Sequence, residues 1–306
     1  MFVRTGSTWT QQAYLKASNT GANDNFGWSV ALDGDTAVIG SEEEGSAATG
    51  VDNTSPGQAD DSASGSGAVY VFVRTGSSWA QQAYVKASNT DAGDEFGSAV
   101  AVAGNTLAVG AQLESSAATG VNSTNPGQSD NTAPKSGAAY IFVRSGPTWT
   151  QQAYVKASNN QQITYFGSSI AISNDTVVVG EPGGDSAFVF VRSGSTWSQQ
   201  ASLNASLSGF FGFSVAISDD ALIVGAPYDE SAASGVNAPN PAPTTNTVYR
   251  SGAAYLYVRS GSSWTQEAYL KASTPKVADL FGYGVGVSGT TLVVGATSSG
   301  ALYVFE

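Results

Sequence analysis

Residues 79–111 read WAQQAYVKASNTDAGDEFGSAVAVAGNTLAVGA. The first part of this stretch alternates large and polar side chains with a period of two, which predicts a half-buried β-strand. After the Phe96-Gly97 pair, two apolar runs flank a tight Gly-Asn turn, a pattern typical of a β-hairpin. No segment of the chain has a convincing helical period. The stretch therefore predicts an all-β fold.

The same pattern recurs along the chain. The motif is copied at Trp9, Trp79, Trp149, Trp197 and Trp264, and Phe-Gly pairs follow at Phe26, Phe96, Phe166, Phe211 and Phe281. Self-similarity at intervals of this size indicates a repeat protein. Each unit is predicted to contain four strands, which in the first complete unit are Phe26–Leu32, Thr36–Gly40, Ala68–Arg74 and Trp79–Lys86.

Repeated four-stranded units predict a β-propeller, because each sheet can bury its faces only against the neighbouring sheets. The chain begins with a fourth strand, Trp9–Lys16, and ends with strands one to three, Phe281–Glu306. Pairing of the two termini would complete a fifth blade and remove open sheet edges. We therefore expect residues 1–306 to form a single domain, a closed five-bladed propeller of four-stranded blades. An open fragment of a larger ring is the alternative.

Composition excludes several classes of function. The chain has no Cys and no His, which removes thiol nucleophiles, Ser-His-Asp chemistry and the usual zinc ligands. A net charge of −12 argues against a nucleic-acid partner. No apolar run is long enough to enter a membrane as a spanning helix, and no signal peptide is visible. A propeller glycosidase needs unrepeated acidic residues in its axial pocket, whereas the acidic residues of this chain recur with the repeats. We therefore predict that the protein is not an enzyme and assign no catalytic residue.

The Phe-Gly pairs, together with Gly225-Ala226-Pro227, resemble the FG-GAP repeat family. This family includes the N-terminal propeller of integrin α subunits and many bacterial surface proteins. The resemblance implies an integrin-like propeller whose loop-rich face engages partners. The chain departs from integrins in having five units rather than seven. It also has a tight turn, Asp33-Gly34-Asp35, where many integrin blades have a long calcium-binding loop, so the calcium sites of the family are not carried over.

Three units carry an insertion between the second and third strands. The insertions read EGSAATGVDN from Glu44, ESSAATGVNS from Glu114 and DESAASGVNA from Asp229. Oxygen-bearing residues recur at equivalent places in them, namely Glu44, Glu114 and Asp229, then Asp52, Asn122 and Asn237, and further along Asp60 and Asp130. These residues are candidates for ligand binding on the loop-rich face, outside the core between blades. Calcium binding by Glu44, Glu114 and Asp229 is one interpretation, and the capping of turns by Asp and Asn is the other.

Other repeated residues are predicted to be part of the scaffold. The Phe-Gly phenylalanines should pack between blades, while the glycines allow close backbone approach. The opening tryptophans should pack on the outer strands, and the arginines that end the third strands should pair with a turn or with a neighbouring carboxylate. Trp28 breaks the repeat pattern directly after a Phe-Gly pair. It is therefore an aromatic candidate for ligand contact, with packing as the other interpretation.

These observations favour a non-catalytic binding or adhesion module of a bacterial secreted or cell-surface protein. We expect a monomer that engages a protein or glycan through its loop-rich face. A purely structural spacer domain and a carbohydrate-binding lectin are the alternatives. We expect an extracellular location.

Overall fold

The computed structural model describes residues 1–52, 57–122, 127–159, 161–205, 207–237 and 248–306. These residues form six antiparallel sheets, and the helical structure among them is one short 3-10 turn, Pro182–Gly184. The prediction of an all-β fold is confirmed. Five of these sheets follow one another along the chain, and each of the five is built from the strands of one repeat, as expected for propeller blades.

An N-terminal hairpin precedes the five sheets that we call blades one to five. The hairpin is β1 (Phe2–Thr5) and β2 (Thr8–Gln11). Blade one contains β3 (Val30–Asp33), β4 (Thr36–Ser41), β5 (Val51–Asp52), β6 (Ala68–Thr75) and β7 (Ser78–Val85). Blade two contains β8 (Phe96–Ala103), β9 (Thr106–Ala111), β10 (Val121–Asn122), β11 (Ala138–Ser145) and β12 (Thr148–Val155).

The remaining blades follow the same meander. Blade three contains β13 (Ser169–Ser173), β14 (Thr176–Glu181), β15 (Ser186–Ser193) and β16 (Thr196–Asn204). Blade four contains β17 (Ser214–Ser218), β18 (Ala221–Ala226), β19 (Val236–Asn237), β20 (Ala253–Ser260) and β21 (Ser263–Leu270). Blade five contains β22 (Phe281–Ser288), β23 (Thr291–Ala296) and β24 (Ala301–Phe305).

The short strands β5, β10 and β19 were not predicted. Each lies within an insertion and pairs with the end of the fourth strand, as Val51 pairs with Val85 in blade one. The same pairing joins Val121 to Val155 and Val236 to Leu270. The described part of each insertion is therefore joined to its own blade by backbone pairing.

The hydrophobic core lies between the blades. Val71 and Val85 of blade one belong to the same buried cluster as Phe96 and Val109 of blade two. Phe96 meets the ring of Tyr140 edge to face, with the ring centroids 5.2 Å apart. Gly97 has a φ of +94°, and a Cβ at this position would lie 2.6 Å from the carbonyl oxygen of Ala68. The predicted roles of the Phe-Gly pair are confirmed here.

The repeated tryptophans and arginines bind neighbouring elements. Trp149 Nε1 donates a hydrogen bond of 2.9 Å to Gln82 of the preceding blade, and Arg144 lies over its ring. The same bond recurs in the pairs Trp79–Gln12, Trp197–Gln152 and Trp264–Gln200. Arg74, Arg192 and Arg259 pair with Asp35, Asp175 and Asp220. The predicted scaffold roles are confirmed for these residues, whereas Trp9 in the N-terminal hairpin is exposed.

The predicted pairing of the chain termini is absent from the described strands. Blade five has three strands with β24 at its edge, while the N-terminal hairpin pairs with itself and is extended by a hydrogen bond from the Met1 amino group to Ala13. Five consecutive repeat sheets are present, but the ring is not closed by hydrogen bonds. The row of blades is nevertheless curved, as shown by Trp28 of blade one and Phe213 of blade four, which line the same pocket.

Candidate functional site

The pocket shared by blades one to four has a volume of about 360 Å³. Its lining residues are Trp28, Ser98, Gln112, Tyr165, Ser168, Pro182, Phe210 and Phe213. Gln112 and Pro182 follow second strands, and the others lie at or near the connections between blades. In an antiparallel meander these two kinds of connection emerge on the same side of the sheet. This aromatic pocket therefore opens on the loop-rich face.

In blades one to four, the residue that follows the Phe-Gly pair lines this pocket. Trp28, Ser98, Ser168 and Phe213 hold this position in blades one to four, and all line the aromatic pocket. A tight turn before β3, closed by a 2.9 Å hydrogen bond from Trp28 N to Asn25 O, leaves the indole 59% exposed. Phe210 is 39% exposed. The prediction singled out Trp28 and missed Phe210 and Phe213, although variation after otherwise constant Phe-Gly pairs was a signal for Phe213.

Polar groups lie beside these aromatic surfaces. Gln112 Nε2 donates a 2.6 Å hydrogen bond to Glu95 Oε2. Glu42 holds the position in blade one that Gln112 holds in blade two, and burial, together with the charges of Glu95 and Glu43, raises its pKa to about 7. Burial also raises the pKa of Glu95. The combination of aromatic faces with amide and carboxyl groups suits a ligand that has both apolar and hydroxyl surfaces.

The structure corrects the expectation for three predicted site residues. Glu44, Glu114 and Asp229 are 1%, 1% and 0% exposed, so they do not lie on the loop-rich surface. Each forms an ion pair with a buried lysine at the end of the fourth strand of its own blade. The pairs are Lys86–Glu44 at 2.9 Å, Lys156–Glu114 at 2.7 Å and Lys271–Asp229 at 3.1 Å. The physical reason is that an ammonium group inside the protein requires a partner of opposite charge.

The buried pairs also correct the expectation that the insertions lie outside the core. Glu44 begins the insertion of blade one, and its carbonyl accepts a 2.9 Å hydrogen bond from Gly67 N just before β6. The carboxylate that was considered as a calcium ligand is instead bonded to an ammonium group. Among the residues that the structure describes, no group of three or more potential ligand side chains is arranged to hold a metal ion.

Further side chains complete the environment of the pair in blade one. Lys86 Nζ also donates to Ser66 Oγ at 2.8 Å, and Asn19 Nδ2 donates to Glu44 Oε1 at 2.8 Å. Tyr70 OH donates to Asn19 Oδ1 at 2.6 Å. Burial lowers the pKa of Lys86, while Glu44 acts in the opposite direction. These clusters were not predicted, although blade three, which lacks an insertion, has Asn204 in place of the lysine.

The other predicted residues have different surroundings. Asp60 is exposed and its Oδ1 accepts a 3.1 Å hydrogen bond from Ser62 N, while Asp130 accepts one of 3.0 Å from Thr132 N. These two aspartates cap turns, as the alternative interpretation predicted. Neither lines the aromatic pocket. The side chains of Asp52, Asn122 and Asn237 lie outside the described part of the structure.

The fold and the repeated Phe-Gly turns define an all-β repeat protein built of blade-like sheets. The family described as FG-GAP repeat matches residues 9–72, 79–142, 149–196, 197–257 and 264–305. The chain therefore belongs to the FG-GAP repeat family, as the sequence resemblance indicated. No curated protein matched the chain in a sequence comparison. In the part of the chain that the structure describes, no helix has the length and apolar character needed to cross a membrane.

Proposed function

We propose that the protein is a non-catalytic binding module that engages a protein or glycan at its loop-rich face, with the aromatic pocket as the contact site. The observation that carries this proposal is the exposure of Trp28 and Phe210 in a concave site built by four blades. Aromatic side chains provide large contact areas with few rotatable bonds. Exposed aromatic residues at a rigid concavity are therefore favourable anchors for a partner.

The proposal includes closure of the repeats into a five-bladed ring. A cavity of about 580 Å³ lies between the N-terminal segment and blade one, lined in part by Tyr14, Leu15 and Val30. Alignment of the third strands places Leu302 and Val304 at the positions of Val69 and Val71. Those two valines are buried against blade two, whereas Leu302 and Val304 are exposed. Insertion of β24 into the cavity would bury both apolar surfaces and complete the last blade.

The proposal assigns no catalytic step. None of the buried lysines Lys86, Lys156 and Lys271 lines the aromatic pocket, and Glu95 is bonded to Gln112. The negative charge of the chain favours cationic or hydroxyl-rich partners over nucleic acid. A role as a monomeric adhesion module at a bacterial surface or in a secreted protein belongs to the same proposal.

A structural spacer is the second candidate, because the conspicuous repeated polar residues already have partners within the scaffold. Trp149 is bonded to Gln82, for example, and Arg259 to Asp220. A spacer needs no exposed aromatic cluster, so Trp28 distinguishes the two candidates.

The experiment is a binding screen of the full chain against an array of immobilised oligosaccharides and a panel of purified extracellular proteins. We expect binding by the native chain that is lost in Trp28→Ala and retained in Tyr249→Ala, a matched change at an exposed aromatic residue outside the pocket. Binding confined to oligosaccharides would define a lectin. Absence of binding to either set would favour the spacer, and equal binding by Trp28→Ala would exclude the aromatic pocket.

A further inference from the structure

One carboxylate holds a lysine amine and an asparagine amide together in blade one. Lys86 Nζ lies 2.9 Å from Glu44 Oε2, and Asn19 Nδ2 lies 2.8 Å from Glu44 Oε1. The amine and the amide are therefore bound to the two oxygens of the same carboxyl group. Lys86 and Glu44 are almost completely buried, whereas Asn19 is half-buried. The cluster is shielded from water and retains an opening beside the asparagine.

The cluster brings together the groups that take part when an amine attacks an amide. Burial disfavours the ammonium form of Lys86 and thereby lowers its pKa, which promotes the nucleophilic amine. Glu44 contacts both the attacking nitrogen and the nitrogen that would leave, so one residue can take up and deliver protons. Tyr70 OH donates to Asn19 Oδ1 at 2.6 Å, where negative charge would develop.

We propose that Lys86 and Asn19 become joined by an intramolecular isopeptide bond, and that Lys156 and Asn89 become joined in the same way. A bond forms between Lys86 Nζ and Asn19 Cγ, the bond between Asn19 Cγ and Nδ2 breaks, and ammonia leaves. Of the three protons of the ammonium group, one stays on the new amide, one remains on the Glu44 carboxyl group and one departs with the ammonia. The reaction needs no oxidant or reductant.

Blade two repeats every contact that the reaction uses. Lys156 Nζ lies 2.7 Å from Glu114 Oε2, Asn89 Nδ2 lies 3.0 Å from Glu114 Oε1, and Tyr140 OH donates to Asn89 Oδ1 at 2.7 Å. In both clusters the asparagine follows the fourth strand of the preceding repeat. Each bond would therefore join one blade covalently to the segment that leads into it.

Blades three and four provide internal controls. Blade four has the buried Lys271–Asp229 pair, but Leu207 stands where the other clusters have asparagine. Blade three has Asn159 but carries Asn204 in place of the lysine. Neither blade contains both reacting groups, so the proposal limits the reaction to blades one and two.

The test is the intact mass of the full chain, folded, stored and then denatured. We expect a mass lower than that of the sequence by two molecules of ammonia, and peptide mapping should find Lys86 joined to Asn19 and Lys156 joined to Asn89. Glu44→Gln and Lys86→Met should each prevent the bond in blade one, so the mass of each variant should be lower than that of its sequence by only one molecule of ammonia. The bond in blade two then reports that the variant chain has folded. Lys271→Met should leave the loss of two ammonia molecules unchanged.

Asn19→Asp tests the chemistry further, because condensation with a carboxyl group releases water and gives the same cross-linked product. A native chain whose mass equals that of its sequence after prolonged storage would overturn the proposal. Retention of both losses in Lys86→Met, or mapping of the loss to other residues, would also overturn it.

Discussion

Removal of the Lys271 ammonium group should be among the most destabilising single changes in blade four. Lys271 Nζ donates to Asp229 Oδ1 at 3.1 Å and to Ser251 Oγ at 2.8 Å, and both side chains of the ion pair are 0% exposed. Lys271→Met keeps most of the side-chain volume but leaves the Asp229 carboxylate buried without its counter-charge. Loss of one partner from a buried pair costs about 3–5 kcal/mol.

An exposed pair in the same blade gives the matched control. The side chains of Arg259 and Asp220 are 20% and 63% exposed, so water already screens their attraction. Asp220→Asn should therefore cost at most about 1 kcal/mol. The double variant Lys271→Met/Asp229→Asn removes both buried charges and should be more stable than Lys271→Met alone.

The assay is urea unfolding combined with hydrogen exchange of peptides from β20 and β21, because repeat arrays can open one unit at a time. We expect the large loss of protection to be centred on blade four. A Lys271→Met chain within about 1 kcal/mol of the native stability would refute the reasoning. So would a double variant no more stable than the single one.

Three other changes test separate parts of the structure. Replacement of the insertion of blade one by the short connection of blade three should lower the melting temperature, because Lys86 would remain buried without Glu44. A further Lys86→Asn change, which copies Asn204, should recover much of the lost melting temperature. No recovery would show that the insertion stabilises the blade through its backbone alone. Burial raises the pKa of Glu181 from 4.5 to about 7, so the folded state favours its protonated form and stability should fall as pH rises through that window. The urea midpoints measured at pH 4.5 and at about pH 7 should differ less in Glu181→Gln than in the native chain. An equal difference in the two proteins would contradict the raised pKa of Glu181. EDTA should leave the melting temperature unchanged, because the insertion carboxylates are bonded to lysines. A fall of several degrees in the melting temperature would instead show that a metal ion stabilises the folded state.

The repeat pattern predicted the sheets because each strand carries its own local signal. The alternation around Trp79 and the tight turn at Gly34 are sufficient to define the four-strand meander. The burial of Glu44 could not be deduced in this way, since an acidic residue in a Ser- and Ala-rich insertion is normally exposed. Its burial depends on Lys86, which is distant in sequence and meets it through the fold.

The aromatic pocket was predicted only in part for a similar reason. Trp28 was conspicuous because it interrupts a run of near-identical repeats. Phe213 also departs from the serine found after two of the Phe-Gly pairs, but Phe210 gave no signal, because the segment before its Phe-Gly pair is shorter than in the other repeats and does not align with them. Only the curvature of the blades shows that these three residues share one concavity.

The proposed function includes closure of the blades into a five-bladed ring, and closure of that ring can be measured directly. Tyr70 lies opposite Tyr84 in blade one, and the repeat alignment gives Tyr303 and Tyr14 the same relationship in the last blade. The chain has no Cys, so Tyr14→Cys/Tyr303→Cys introduces a single pair of thiols. Oxidation of the dilute double variant should give an intramolecular disulfide in a monomer, detected by peptide mapping. Free thiols, or disulfides only between two chains, would contradict the closed ring.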